Sequence, residues 1–211
     1  MNKKVNLIIG SGVLGAYLSA NLIKKKEKVI VTTRSLRKKT NNFNYLKIQK
    51  KVKFEKLDIK NKTSIHKIIN KYKPEKIFYF AGQSSIPKSL KSPKETFQSH
   101  YNGTKNFLDV LKEKNLKIKF FKANSGYIFS PNKGRIDLNC KFSSNKNPYV
   151  KAQKKSFKLL KKYRQFGLNL SNLVFMQVES PLRHKDFLIK KVCLGAKNRK
   201  KITVGNINTY R

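Results

Sequence analysis

The stretch Leu7 to Gly15, LIIGSGVLG, with the apolar segment that follows it to Ile23, constrains this chain more than any other. A short hydrophobic run enters Gly10, Gly12 and Gly15 at G-x-G-x-x-G spacing and a helical pattern opens behind it. That spacing lets a strand turn sharply, pass close to a pyrophosphate and start a helix. Gly10 is expected to permit the turn, Gly12 to keep a Cβ away from the phosphates, and Gly15 to let the helix lie close on the strand. The ligand's charge would then meet the free N–H groups and the positive dipole end of the helix.

Strand and helix signals alternate along the rest of the chain. Strands are expected at Val5–Ile9, Lys28–Thr33, Lys53–Leu57, Ile77–Ala81, Ile118–Ala123 and Leu170–Met176, with a last short one at Ile202–Val204. Between them the helical period groups Leu14, Leu18 and Leu22, then Ile65, Ile68, Ile69 and Tyr72, then Phe97, Tyr101, Thr104, Leu108 and Leu111 of one long helix. Tyr149, Ala152, Ser156, Leu160 and Tyr163 share a face before Gly167, and a basic amphipathic helix is expected over Asp186–Ala196. The expected fold is therefore α/β, a Rossmann-like doubly wound parallel sheet with helices on both faces. Ligands of such sheets bind outside the carboxyl ends of the strands, where Gly10, Arg34, Asp58, Ala81 and Ser125 fall. The loop-rich stretch Asn124–Pro148 is expected to serve as a substrate loop.

The second strand ends in Thr33-Arg34, with Arg37 beyond, where an acidic residue would accept from a ribose 2′-hydroxyl. Arginine there favours a 2′-phosphate, so NADP is the expected cofactor unless these are two ordinary members of a basic chain. Basic it is: 50 Lys and Arg against 10 Asp and Glu give a net charge of +40. Yet arginine is scarce, the lysines are spread over nearly every segment, and Asn, Ile and Phe rise with them, as AT-rich codons would produce. Nucleic acid is therefore not the expected partner, since base recognition leans on arginine and a localised patch. An anionic small substrate gains from the same field. Cys140 and Cys193 are too few for a disulfide framework, which points to a reducing, cytoplasmic setting. MNKK before an apolar run imitates a signal peptide, but the glycine spacing favours the strand. No run is apolar and long enough to suggest a membrane span, and His66, His100 and His184 stand isolated, so no metal site is expected.

These residues together resemble the extended short-chain dehydrogenase/reductase family, and within it the GDP-mannose 4,6-dehydratases. The similarity runs in order through the glycine loop, Arg34, Leu57-Asp58-Ile59, Ala81-Gly82-Gln83-Ser84, Gly103-Thr104, Ser125, Pro148-Tyr149, and Glu179-Ser180-Pro181 to Gly205-Asn206 and Arg211. The resemblance implies an NADP-binding sheet domain over residues 1–176 and an incomplete start of a nucleotide-sugar-binding region over 177–211, so that the C-terminal substrate region is truncated. It implies that Gly10, Gly12, Gly15, Arg34, Asp58, Ile59, Ala81 and Gln153 line the cofactor, and that Ser84, Gln177, Lys191 and Arg211 line a GDP-sugar. Family members form homo-oligomers, which the resemblance extends to this chain. In such enzymes a tyrosine, here Tyr149, takes the proton of the sugar 4-hydroxyl while C4 passes a hydride to NADP, and Ser125 matches the group that hydrogen-bonds the reacting oxygen. A carboxylate then removes the C5 proton, water leaves from C6 and the hydride returns there.

Two positions depart from the family pattern. The lysine that should stand four residues after the tyrosine is Gln153, and the carboxylate position is Tyr127. Lys151 and Lys154 lie off the i+4 face, although an irregular helix start would bring Lys154 nearer. The glycine loop is also one residue shorter than the family's usual form. The expected activity is an NADP-dependent GDP-mannose 4,6-dehydratase-like lyase. The alternatives are a nucleotide-sugar 4-epimerase or 4-keto reductase, which needs no C5 carboxylate, and a catalytically impaired NADP-binding homologue.

Overall fold

The computed structural model describes residues 4–36, 41–132, 134–137 and 139–204. It divides into two compact units, Met1–Met176 and Gln177–Arg211. In the first, six parallel strands form one sheet: β1 (Val5–Ile9), β2 (Lys28–Thr33), β3 (Lys53–Lys56), β4 (Lys76–Tyr79), β5 (Lys119–Ser125) and β6 (Leu170–Phe175). Their order is β3-β2-β1-β4-β5-β6, so the crossover direction reverses between β1 and β4. That reversal opens a crevice at the carboxyl edge, directly beyond Gly10.

Helices α1 (Val13–Lys24), α2 (Asn41–Tyr45), α3 (Lys62–Tyr72), α4 (Ile86–Lys91), α5 (Pro93–Phe97), α6 (Gly103–Glu113) and α7 (Pro148–Arg164) follow in chain order. The period-two alternation of β1 sorts them. Leu7 and Ile9 join the main core with Ile65 and Ile69 of α3, Phe107 and Leu108 of α6 and Leu160 of α7. Ile8 faces the other way, towards Gly15 of α1. Both faces therefore carry helices. On the α1 side the ring of Phe78 stacks on Phe121 at 4.9 Å, and these two with Phe80 and Phe175 remain half-buried.

Three expected features change. The buried face of α1 is Gly15, Ala16, Ser19 and Leu22, while Leu14 and Leu18 are half-buried, because the start of the helix lies too close to β1 for large residues beneath it. The long helix from Phe97 is interrupted by a π turn, Gln98–Asn102, between α5 and α6. The buried Tyr79 hydroxyl donates to the Ser99 carbonyl at 2.6 Å and so draws it out of the helical ladder. A Cβ on residue 103 would lie 2.3 Å from that hydroxyl, so glycine there makes the contact possible. In the second unit α8 runs over Leu188–Lys197, but Ile202–Val204 forms no strand. Ile202 packs at Gly195 instead, and the Lys191 ammonium takes the Thr203 carbonyl.

Asp109 on α6 ties three elements together. It accepts from Lys105 and is bridged by Lys62 of α3, each at 2.8 Å, and the Tyr163 hydroxyl of α7 also donates to it. Burial raises its pKa, but these hydrogen bonds outweigh that and hold it below the ordinary aspartate value. Its stabilisation is complete above the unfolded-state pKa and is lost as pH falls through the lower folded one. Asp109→Asn is expected to lower stability by about 1–3 kcal/mol at neutral pH. Urea melts of variant and parent should converge in strong acid; a constant difference down to about pH 2 would refute the charge as the cause.

Candidate functional site

At Gly10 the chain leaves β1 with φ 112°, a conformation that only glycine adopts without strain. A Cβ there would also meet the Ala81 backbone at 3.0 Å. Gly15 is constrained by contact: a Cβ would stand 2.3 Å from the Gly10 carbonyl oxygen. At Gly12 no atom lies within 4 Å of where a Cβ would be, so the loop faces open space. Gly12 caps α1 without a side-chain hydrogen bond, and no acid stands in the first turn. The helix thus presents bare N–H groups and its positive end to that space, which suits a dinucleotide pyrophosphate.

Along the same edge, Arg34 is exposed at the end of β2 and pairs with Glu95 of α5 at 2.9 Å. Its guanidinium lowers the Glu95 pKa, although burial opposes the shift. Asp58, also exposed, accepts from the Lys60 N–H at 3.0 Å, and Ile59 packs where a side chain on Gly103 would otherwise go. Ala81 lies against Gly10, and Ser84 is exposed.

Ser125 ends β5, and its hydroxyl accepts from the Tyr127 N–H at 3.2 Å to start the turn Gly126–Ile128. Helix α7 packs against β5 and the turn that follows it. Asn147 caps that helix through the Val150 N–H, and Tyr149 is buried in its first turn. Gln153, 3% exposed, donates its amide to the Tyr149 hydroxyl at 3.3 Å, as i and i+4 positions allow. The helix start is regular, and the Lys154 ammonium is bound to the Ser143 carbonyl. Tyr127 is 49% exposed. In the second unit Gln177 donates to Glu179 at 3.3 Å. Arg211 and Arg37 lie outside the described residues.

Two further buried polar residues were given no role by the sequence. His100, on the π turn, meets the Tyr149 ring edge-on at 5.5 Å and bonds the Gln83 carbonyl through Nε2 at 2.8 Å. Burial, and then the charge of Lys122, push its pKa down to about 3, so it is neutral. Lys122 on β5 is 1% exposed, and burial pushes its pKa down to about 7. The alternation of KFFKANS was the available signal, since it sets Lys122 on the face of Phe120.

A cavity of about 330 Å³ lined by Lys4, Glu75, Lys76, Lys117 and Lys119 lies at the amino ends of β1, β4 and β5, away from these groups. Among the described residues no three His, Cys, Asp or Glu gather as a metal site, and no helix is long and apolar enough to cross a membrane.

The profile of the GDP-mannose 4,6 dehydratase family matches residues 7–211. The chain is 25% identical over 230 residues to a GDP-mannose 4,6-dehydratase of Sinorhizobium fredii, covering 100% of this chain and 64% of the relative. It thus spans less than two thirds of that relative's length. Among solved structures, a UDP-glucose 4-epimerase of Thermotoga maritima with UDP-glucose superposes with a TM-score of 0.83 at 18% identity, over 98% of this chain and 67% of that one. A dTDP-glucose 4,6-dehydratase of Bacillus anthracis in complex with NAD gives 0.79 at 20% identity, over 94% and 63%. These two likenesses establish the fold.

Two variants probe the site's construction. Gly15→Ala is expected to cost about 1–3 kcal/mol by forcing α1 off the Gly10 carbonyl, with dinucleotide affinity falling alongside in calorimetry. Lys122 binds fewer protons folded than unfolded between its folded pKa of about 7 and its ordinary 10.5, so its burial penalty is full below that window and eases as pH rises through it. Lys122→Met should therefore be more stable than the parent at pH 6, by about 1 kcal/mol or more, with the gap closing towards pH 10. A gap that does not change with pH would contradict the buried charge.

Proposed function

The chain belongs to the GDP-mannose 4,6-dehydratase family, among the nucleotide-sugar dehydratases and epimerases, and on that premise we propose that it is an NADP-dependent enzyme acting on a GDP-linked sugar, GDP-mannose first. The observation that carries the reading is a buried tyrosine hydroxyl, held by the Gln153 amide, on the sheet edge where the glycine cradle opens. The chemistry that a bound nicotinamide supplies is reversible hydride transfer.

The chain's own residues do the rest. The bare end of α1 holds the pyrophosphate, with Gly10, Gly12 and Gly15 around it, and Asp58, Ile59 and Ala81 flank the adenosine half. Arg34 takes the 2′-phosphate by exchanging Glu95, a small loss because exposed ion pairs contribute only about 0–1 kcal/mol. Tyr149 moves the proton of the sugar 4-hydroxyl while the Ser125 hydroxyl holds that oxygen, and burial keeps bulk water from the phenol. Gln153 supports the phenolate with one hydrogen bond but no charge. We assign Ser84 in the first unit, and separately Gln177, Lys191 and Arg211 in the second, as candidate contacts to the sugar nucleotide, and the net charge of +40 draws the dianionic substrate in. Free Cys140 and Cys193 fit a reducing, cytoplasmic setting, and assembly as a homo-oligomer belongs to the same reading.

A second reading is favoured by Tyr127. It is half exposed at the position where dehydration requires a carboxylate, so oxidation and reduction at C4 alone, as in a 4-epimerase or 4-keto reductase, fit the residues present. Incubation with NADP and GDP-mannose, and then with other nucleotide sugars, separates the readings. A 4-keto-6-deoxy product marks the dehydratase, and an epimer or 4-hydroxy product marks the simpler redox step. Tyr149→Phe should reduce either by about 10²–10⁴-fold. Tight NADP binding with no turnover of any nucleotide sugar would sink both and leave a cofactor-binding homologue.

A further inference from the structure

We propose that Glu95 sets the choice of dinucleotide at this site: α5 carries its carboxylate to Arg34 at the end of β2, into the place of a 2′-phosphate, where it favours NAD and handicaps NADP. The inference rests on the assignment of Arg34 to the adenosine ribose.

In a fold of this kind the end of β2 decides between the two cofactors. An acid there accepts from the ribose 2′-hydroxyl, and an arginine there takes a 2′-phosphate. Along the chain only the arginine is present, because no Asp or Glu stands between Glu27 and Glu55. The fold supplies the acid from elsewhere. Glu95 lies 61 residues beyond Arg34, and its Oε1 accepts from Arg34 Nη1 at 2.9 Å.

The neighbouring residue fixes α5 in that position. The Thr96 hydroxyl accepts from the Gln83 amide at 3.0 Å, and Gln83 belongs to the loop that follows β4. Two adjacent residues of α5 therefore engage the end of β2 and the loop after β4, the two strands that flank β1 in the sheet. The bridge from Gln83 to Arg34 spans the carboxyl edge across β1, the strand that runs into the glycine cradle.

Glu95 is ionised there. Its hydrogen bond from Arg34 pulls its pKa below the ordinary glutamate value against the effect of burial, and the charges of Lys88 on α4 and Lys60 after β3 act in the same direction as Arg34. The guanidinium gives one nitrogen to this bond, and among the described residues its other N–H groups bond nothing. A 2′-phosphate can take the guanidinium through two oxygens and so displace the carboxylate, but it leaves that carboxylate charged beside a dianion. A 2′-hydroxyl carries no charge to trade. It donates to the carboxylate, which keeps its pair with Arg34. One residue thus acts on the two dinucleotides in opposite directions.

Calorimetric titration of NAD and of NADP into the full chain reads both effects. Glu95→Ala should bind NADP about two- to fivefold more tightly, since an exposed ion pair no longer has to be broken. It should bind NAD about three- to tenfold more weakly, since the 2′-hydroxyl loses its acceptor. Glu95→Gln, which keeps the shape and an acceptor oxygen but not the charge, should tighten NADP alike and leave NAD near the parent value. Glu75→Ala removes a carboxylate at the amino edge of the sheet and should leave both affinities unchanged. Affinities for NAD and NADP that move together in Glu95→Ala, or do not move, overturn the proposal. So does an equal gain for NADP in Glu75→Ala, which would make the effect one of net charge. If neither dinucleotide binds the parent, the cofactor reading falls and the proposal with it, whereas binding that ignores Glu95 sinks the proposal alone.

Discussion

The structure depends first on the absence of one carbon atom. A Cβ on residue 15 would sit 2.3 Å from the Gly10 carbonyl, so α1 can rest on the end of β1 only because that residue is glycine. This contact aims the helix end across the loop and brings Gly10 against Ala81, at the switch point between β1 and β4. It also excludes large residues from the first turns of the inner face of α1, where Ala16 and Ser19 lie and the Ser19 hydroxyl folds back onto the Gly15 carbonyl. The cradle is thus a packing consequence before it is a binding site, and the same contact serves both.

The other half of the site is built on the opposite principle. On α7 and the elements packed against it the chain buries polar groups that packing alone would not select. Oε1 of Gln153, Nδ1 of His100, the Ser156 hydroxyl and Oδ1 of Asn124 are all buried without a protein partner. Buried polar atoms left unpaired are costly, and concentrations of them mark places where function overrides stability. The fold tolerates this because the π turn is anchored from beneath by the Tyr79 hydroxyl and from the side by His100 on the Gln83 carbonyl.

What was legible in the sequence follows from how local each cause is. β1 and β2 fall where the apolar runs place them, because a glycine and a charged residue bound them within the chain itself. The inner face of α7, from Tyr149 to Tyr163, obeys its period because it packs on an apolar sheet. β4 stops two residues short of its apolar run, since Phe80 and Ala81 turn into the glycine cradle. The π turn was hidden, because it depends on a hydroxyl twenty residues upstream. The ion pair of Arg34 was hidden too, with its partner 61 residues away. Lys122 was overlooked for a different reason: strand alternation places it inside, and its charge argues for outside.

The scarcity of acids links the fold to the chemistry. Of the ten carboxylates, Glu27, Glu55, Glu95, Asp109 and Glu113 each bind a basic or polar side chain, and most of these bonds join separate elements. Asp58 and Asp137 hold local backbone N–H groups, and Glu179 and Asp186 pair within their own turns. Glu75 lines the lysine-rich cavity at the far edge of the sheet. In a chain with 50 basic residues each carboxylate has many cations competing for it, so a free carboxylate beside Tyr127 would have to resist those competitors as well as its own burial cost.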